Sequence, residues 1–187
     1  MFLSAVTAGL ADPVALQTAQ NVARNKINQH LALYGQWNGS GEPSLGPGRA
    51  VSLQSETVAY LFPVNPSGYV LVTPDDAFSP VPLYSDRSEF DPQQVDNPNS
   101  LEAWILPRLD ARLNRLKEMR RNPANGTITR FQARDITQRI QNAWSKFKDP
   151  AAVFTSSETD RSAVLLSGEV APVRSAGAVG PLLTTIW

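Results

Sequence analysis

The chain has 187 residues, a length that suits one domain with tails. Its 17 lysines and arginines balance 17 aspartates and glutamates, so bulk charge gives no reason to expect nucleic acid or an anionic membrane as a partner. Cysteine is absent, which excludes disulfides, thiolate nucleophiles and sulfur-ligated metals, and no window reaches the roughly 18 apolar residues of a membrane span.

The first predicted element is a long amphipathic helix. Residues 1–11 are apolar and small, which fits either the remnant of a signal peptide or a disordered or strand-forming start, although the basic segment of a signal peptide is missing. Asp12 as N-cap and Pro13 at the first helical position predict the start of the helix. Apolar residues then recur at helical spacing as far as Tyr34, and Gly35 is the expected C-cap.

A glycine- and proline-rich loop and three short strands are predicted next. Residues 38–48 have the composition of a loop. Strand-like runs follow at 57–62, 69–73 and 81–84, and Asn65-Pro66-Ser67-Gly68 is typical of a hairpin turn. Because short connections cannot join parallel strands, we expect an antiparallel sheet.

Two further helices are predicted after the polar, proline-rich residues 86–100. Leucine and isoleucine spacing indicates the first, with Leu101, Ile105, Leu109, Leu113 and Leu116 on one apolar face. Pro107 should kink this helix or mark its true start. The opposite face carries six arginines and lysines, which we interpret as a solvated face that complements the helix dipole. The second of these helices is expected at about 130–147.

These elements predict an α+β fold, with a small antiparallel sheet packed against a few amphipathic helices. Residues 168–180 are small and glycine-flanked, which predicts a flexible, protease-accessible linker. Residues 181–187, Pro-Leu-Leu-Thr-Thr-Ile-Trp, are apolar and would be an aggregation risk if exposed, so we expect them to begin a further domain.

Candidate catalytic residues are few. His30 is the only histidine, and without cysteine it cannot form a Cys–His pair, so we expect a surface or half-buried helix histidine rather than a catalytic one. Asp75 and Asp76 are adjacent and should point apart, as in a turn that binds its own backbone. No serine lies in a nucleophile motif. We therefore expect no catalytic residue, no metal site and no cofactor in this chain.

Three segments, read in order, resemble one protein family. They are Gly-Tyr-Val-Leu-Val-Thr-Pro-Asp at 68–75, Pro-Val-Pro-Leu-Tyr-Ser at 80–85, and Phe-Asp at 90–91 with Asn97-Pro98 and Trp104 after it. Together with the end at 179–187, they resemble the pro-region of streptopain-like cysteine peptidases, also called the Spi inhibitor domain. The residues that carry the core of this resemblance are Gly68, Tyr69, Asp75, Pro80, Tyr84, Ser85, Phe90 and Asp91.

The resemblance implies the pro-region of a secreted bacterial zymogen. Residues 12–167 would form the inhibitory pro-domain, which blocks a papain-like active site and assists its folding, and 181–187 would begin the catalytic domain. The partner would be the catalytic domain of its own or a cognate cysteine peptidase. Activation would cut the 168–180 linker near Arg174, Ser175, Ala176 and Gly177.

The resemblance also implies an inhibitory loop at Asn97 and Pro98, from which the asparagine would reach the active site. The same two residues could instead cap the following helix, because asparagine is a preferred N-cap and proline suits the next position. The two roles could coexist.

Two other functions remain open. The chain could be a free-standing inhibitor that acts in trans on a peptidase encoded nearby, which a natural stop codon after Trp187 or inhibition by the isolated chain would favour. It could also be a non-catalytic surface or adhesion module, which would be favoured if mutation of Asn97 and of the Pro80–Ser85 segment left peptidase inhibition intact.

Overall fold

The structure is a computed structural model that describes residues 13–121 and 130–155, apart from the side chains of 130–135. In chain order its elements are α1 (Leu16–Tyr34), β1 (Ser44–Leu45), β2 (Arg49–Leu53), β3 (Glu56–Asn65), β4 (Tyr69–Val72), β5 (Leu83–Ser85), a 3-10 helix (Pro92–Asp96), α2 (Leu101–Arg121) and α3 (Arg130–Lys148). Helices and one small antiparallel sheet confirm the predicted α+β fold. The predicted segments 1–11, 168–180 and 181–187 lie outside the described residues.

All of the strand pairs are antiparallel. The sheet has the order β1-β3-β4-β5, and β2 also pairs with β3. The hairpin predicted at 65–68 joins β3 to β4, with Pro63 opposite Tyr69, and β5 continues the sheet with Tyr84 opposite Val70. β1 lies within the segment predicted as a loop, and β2 was not predicted at all.

A β-bulge at Val58 shapes the longest strand. Val51 of β2 lies opposite Ala59, whereas the next residue of β2, Ser52, lies opposite Thr57, so Val58 is the extra residue. A bulge leaves the added residue unpaired and bends the strand. Val58 and Ala59 are both buried in the same core cluster, although they are neighbours in sequence.

Helices cover the two faces of the sheet, and each face has its own hydrophobic core. Alternate residues along the hairpin point to opposite faces. One face packs against α1 and α3, with buried residues that include Val22, Ile27, Trp37, Phe62, Val64, Val70, Val72 and Trp144. The other face packs against α2, with buried residues that include Val51, Val58, Leu61, Tyr69, Leu71, Phe90, Leu106, Leu109 and Leu113.

Helix α1 begins later than predicted. Its N-cap is Ala15, and the helix starts at Leu16 rather than at Pro13. Pro13 forms a bridge with Asp75, and the Val14 N–H donates to the Pro74 carbonyl at 2.9 Å, so this segment is held in an extended conformation. The predicted C-cap is confirmed: Gly35 is left-handed, with φ of 75°, and its N–H donates to Leu31.

Helix α2 continues through Pro107, so Pro107 does not mark its start. Proline cannot donate the backbone hydrogen bond of its turn, yet the helix continues to Arg121. Its buried residues are Glu102, Leu106, Leu109 and Leu113. Leu101, which was predicted on the apolar face, is instead 43% exposed.

The loop between β4 and β5 joins both helical layers. Its contacts come from α2 on one side of the sheet and from α3 on the other: Arg120 to Asp75, Trp144 Nε1 to the Phe78 carbonyl at 2.7 Å, and Lys148 to Asp76 at 3.4 Å. The start of α1 is held at the same loop through Val14 and Pro74. The β4–β5 loop therefore forms hydrogen bonds or ion pairs with α2, with α3 and with the segment that leads into α1.

None of the helices in the described residues is both long enough and apolar enough to cross a bilayer. The same residues contain no group of three or more histidine, aspartate or glutamate side chains that could hold a metal ion.

Candidate functional site

Gly68 and Ser85 fix the geometry of the β3–β4 turn against β5. Gly68 has φ of 101°, a conformation that favours glycine. A Cβ at Gly68 would overlap the Ser85 carbonyl oxygen and the backbone of Asp86. The Ser85 hydroxyl accepts hydrogen bonds from the backbone N–H groups of Arg87, at 3.2 Å, and Ser88, at 2.9 Å. Both residues therefore act on the backbone rather than on a ligand.

Tyr69 and Phe90 belong to the core beneath α2, and the exposed Asp91 directly follows Phe90. The rings of Tyr69 and Phe90 lie 5.1 Å apart and are both buried. The Asp91 N–H donates to the buried Glu102 carboxylate at 2.9 Å. The Asp91 carboxylate in turn accepts from the Gln93 N–H and caps the 3-10 helix. This pair of contacts anchors the first turn of α2 to the chain that leads into it.

The Tyr69 phenol has a perturbed pKa. Burial raises the pKa of this phenol far above its ordinary value, and the nearby Glu102 carboxylate raises it further. A group whose pKa is raised by folding favours the folded state below its unfolded pKa, and this contribution is lost as the pH rises toward the folded pKa. For a tyrosine that loss begins at about pH 10.

We expect Tyr69→Phe to flatten the alkaline limb of the stability curve. Wild type should lose about 1 kcal/mol more free energy of unfolding between pH 9 and 11 than the variant does, because only its unfolded state releases the Tyr69 proton. Urea unfolding at both pH values measures this difference. Tyr34→Phe, which removes a partly exposed phenol on α1, is the control and should follow wild type. Equal losses for Tyr69→Phe and wild type would contradict the prediction.

Asp75 and Pro80 hold the β4–β5 loop. The Asp75 carboxylate forms two hydrogen bonds with the Arg120 guanidinium, at 2.9 and 3.0 Å, and also accepts from the Ala77 N–H. A bidentate pair of this kind fixes geometry as well as charge. Pro80 is fully buried, and its carbonyl accepts from the Thr73 N–H at 3.1 Å. As predicted, Asp75 and Asp76 point to different partners.

Tyr84 lies among aromatic side chains on the α1 side of the sheet. The ring of His30 is 4.8 Å from that of Trp37 and 5.8 Å from that of Tyr84, and it is buried. Lys26 Nζ lies 4.0 Å from the centre of the Tyr84 ring, a cation–π contact. His30 is only 3% exposed and packs as a core residue among aromatic rings, so the predicted surface or half-buried position is wrong.

Asn97 and Pro98 occupy an exposed turn between the 3-10 helix and α2. The Asn97 N–H donates to the Gln94 carbonyl at 3.0 Å, and its own carbonyl accepts from the Ser100 N–H at 2.9 Å. Its side-chain oxygen accepts from the Asn99 N–H at 3.2 Å, and its amide donates to Gln94 Oε1 at 3.3 Å. The turn is thus closed by backbone bonds while the asparagine side chain remains at the surface.

Ser100, and not Asn97, caps helix α2. The Ser100 hydroxyl accepts from the Ala103 N–H at 3.0 Å, the contact expected of an N-cap residue, and donates to the Gln94 carbonyl at 2.7 Å. Asn97 instead follows the 3-10 helix as its C-cap. The interpretation of Asn97 as the cap of the second helix is therefore wrong, because Asn97 only accepts from the N–H of the capping Ser100 through its backbone carbonyl.

An exposed aromatic residue lies on the first turns of α2, directly after this loop. Trp104 is 57% exposed, and Leu101, three residues before it, is also exposed. The Arg108 guanidinium lies 3.4 Å from the centre of the Trp104 ring, a distance at which cation and ring attract. Large exposed apolar side chains that cluster in this way are typical of interaction surfaces.

The clustering of Leu101 and Trp104 at the surface was not predicted. The pattern of leucines suggested a buried face that included Leu101, whereas the helix is rotated so that Glu102 and Leu106 face the core. One signal was present in the sequence: Trp104 does not fall on the leucine spacing, so it had to lie away from the predicted apolar face.

In the described residues, most of the core motif forms scaffold, whereas the residues of the predicted inhibitory loop are exposed. Gly68, Tyr69, Asp75, Pro80, Tyr84 and Phe90 shape the sheet, its loops and the packing below α2. Asn97, Pro98, Leu101 and Trp104 form an exposed surface, which we call the loop–α2 surface. The cleavage residues Arg174, Ser175, Ala176 and Gly177 lie outside the described residues. The chain has no cysteine and therefore no cysteine nucleophile.

We compared the chain with models of protein families, with curated proteins and with solved structures, and no match was found. The functional interpretation therefore depends on the residues and contacts described above.

Proposed function

We propose that the chain is the pro-region of a secreted bacterial cysteine-peptidase zymogen. It would keep a papain-like active site inhibited, and assist the folding of the catalytic domain, until proteolysis removes it. The loop–α2 surface is the observation that carries this proposal. It combines an exposed asparagine with exposed apolar anchors on a rigid support, which is the composition of a protein-binding site.

The geometry of the Asn97 turn suits an inhibitory loop. A loop that is ordered before binding loses less conformational entropy when it docks. The turn is fixed at both ends, because Asp91 caps the 3-10 helix before it and Ser100 caps α2 after it. The side-chain hydrogen bonds of Asn97 are exposed and lie at 3.2 and 3.3 Å, so they can be exchanged for contacts with a partner.

The linker at 168–180 supplies the means of release. A pro-region that is covalently joined to its catalytic domain acts at a high effective concentration, so modest contacts suffice for inhibition. A cut near Arg174 removes that advantage and lets the two parts dissociate. The absence of cysteine in the chain agrees with a role in which the nucleophile belongs to the partner.

Inhibition assays test the inhibitory role, and the coding sequence downstream of Trp187 distinguishes a pro-region from a free-standing inhibitor. The 187-residue chain is added to the papain-like peptidase that is encoded downstream of Trp187 or in a neighbouring gene, and hydrolysis of a fluorogenic peptide is followed. We expect inhibition by wild type, and an inhibition constant at least about tenfold weaker for Asn97→Ala. Asn97→Asp keeps the oxygen that accepts from Asn99 but loses the amide donor, so it should weaken inhibition without opening the turn.

Asn99→Ala is the matched control, because Asn99 is an exposed asparagine of the same turn. Its backbone N–H, which the substitution keeps, donates to Asn97 Oδ1. It should inhibit like wild type. The proposal would be wrong if no such peptidase were encoded, if the wild-type chain failed to inhibit it, or if Asn97→Ala and Asn99→Ala had equal effects.

A further inference from the structure

A row of exposed arginines follows Trp104 along helix α2. Arg108, Arg112 and Arg115 are exposed. With about 100° between successive helical residues, Leu101, Trp104 and these three arginines fall within an arc of about 80° on one side of α2. The same spacing gives the row a length of about 21 Å along the helix axis. Apolar anchors and cations therefore form one continuous surface.

The three guanidinium groups have no carboxylate partner in the described part of the chain. Two of them lie over aromatic rings instead: Arg108 over Trp104, and Arg112 at 5.2 Å from the centre of the Phe78 ring. By contrast, Arg120 and Lys117 of the same helix are paired with Asp75 and Glu56. Helix α2 thus carries two kinds of cation. Lys117 and Arg120 are paired with carboxylates of the sheet and its loop, whereas Arg108, Arg112 and Arg115 have no such pairing in the described residues.

The net charge of the chain changes sign between α2 and the segment that precedes it. Helix α2 carries six cations and three carboxylates, a net charge of +3. The chain that leads to it, residues 86–96, carries four carboxylates and one arginine, a net charge of −3. Its charged residues are Asp86, Arg87, Glu89, Asp91 and Asp96. Helix α2 and the segment before it therefore carry opposite net charges.

We infer that the outer side of α2 docks an acidic protein surface that has an apolar pocket for Trp104. The pocket would receive the tryptophan, and carboxylates would face Arg108, Arg112 and Arg115 beside it. This inference deepens and rests on the proposed function, because the partner is then the catalytic domain whose active site Asn97 reaches. The net negative charge of residues 86–96, the segment that leads into α2, opposes a nucleic acid backbone as the partner.

Binding kinetics at several salt concentrations test the inference. The 187-residue chain is immobilised, and the cognate catalytic domain, with its nucleophilic cysteine replaced by serine, is the analyte. Trp104→Ala should raise the dissociation rate about 30-fold, as for a central aromatic anchor. The triple variant Arg108→Glu, Arg112→Glu, Arg115→Glu should lower the association rate at least about tenfold at 20 mM salt, and wild type should lose this advantage by 500 mM.

Two matched variants control for position. Ile136→Ala removes an exposed apolar side chain of α3, and Arg24→Glu reverses an exposed cation of α1. Both should bind like wild type. Unfolding curves of all variants should overlay, because every substituted side chain is at the surface.

The outcomes separate this inference from the proposed function. Inhibition that is unchanged in the α2 variants would overturn the inference and leave the proposed function intact. Binding that depends on Trp104 but does not inhibit would support the inference and overturn the proposed function. Absence of a cognate peptidase, or of binding, would overturn both. Tighter binding of a 20-nucleotide single-stranded DNA through the same arginines would overturn the assignment to a protein partner.

Discussion

Trp37→Ala is expected to lower the free energy of unfolding by about 4 kcal/mol, the usual cost of truncating a buried tryptophan. Trp37 is 0% exposed. Its ring packs against His30 and Tyr84, and its Nε1 donates to the Ser67 carbonyl at 2.8 Å. The variant therefore loses the packing of a large ring and leaves one carbonyl of the hairpin turn without its donor.

Urea unfolding followed by far-ultraviolet circular dichroism measures this effect. Since small domains are stable by only about 5–15 kcal/mol, the midpoint should fall markedly. Trp104→Ala is a control of the same residue type, and its stability should stay within about 0.5 kcal/mol of wild type because the ring is largely in solvent. Similar losses in the two variants would show that Trp37 is not the core residue described above.

Gly68→Ala is expected to cost about 3 kcal/mol of stability. The φ of 101° at this position is strained for any residue with a Cβ. The added methyl group would also overlap the backbone of Ser85 and Asp86, which cannot move as a flexible side chain could. Relief would require β5 to separate from β4, where Tyr69 lies opposite Ser85.

The matched control for Gly68→Ala is Gly41→Ala. Gly41 lies in a surface loop where an added Cβ would meet nothing within 4 Å. We expect this variant to unfold within about 0.5 kcal/mol of wild type. Thermal unfolding of both variants gives the comparison, and a Gly68→Ala protein as stable as the control would contradict the tight approach of β5 to the turn.

The elements that were predicted well have a periodicity that packing reinforces. The third helix, expected at about 130–147, is found at Arg130–Lys148. The β3–β4 hairpin was predicted because Asn65-Pro66-Ser67-Gly68 combines turn residues between two apolar runs. In both cases the local pattern and the tertiary packing favour the same structure.

β1 and β2 were missed because their residues carry a weak strand signal. β1 has two residues and lies among glycines and prolines, so its composition indicates a loop. Its strand conformation comes from pairing with the far end of β3, where Ser44 lies opposite Asn65.

The start of α1 and the rotation of α2 are decided by contacts distant in sequence. Asp12-Pro13 has the pattern of a helix start, but Pro13 and Val14 pair with the β4–β5 loop instead. The buried face of α2 includes Glu102, whose carboxylate accepts from the Asp91 N–H. Neither partner could be identified from local spacing, because a hydrogen bond between distant segments leaves no periodic signal.

For the candidate site, sequence reasoning located Asn97 but assigned part of its structural role wrongly. The choice between Asn97 and Ser100 as the cap of α2 depends on which residue leaves the helical conformation, and both are good N-cap residues. Trp104 was noted as part of the resemblance, whereas its exposure follows from the rotation of α2. The sequence therefore pointed to Asn97 and Trp104, but not to the exposure of Leu101 or to the clustering of Leu101 with Trp104.

The β4–β5 loop has a consequence for how mutations combine. Asp75 binds α2 on one side of the sheet, while Asp76 and Phe78 bind α3 on the other. Residues with shared partners generally show interaction energies, whereas distant sites have additive effects on stability. Substitutions in the two cores should therefore be non-additive when they displace this loop, although the sheet lies between them. The two hydrophobic cores are separate in space but coupled in free energy.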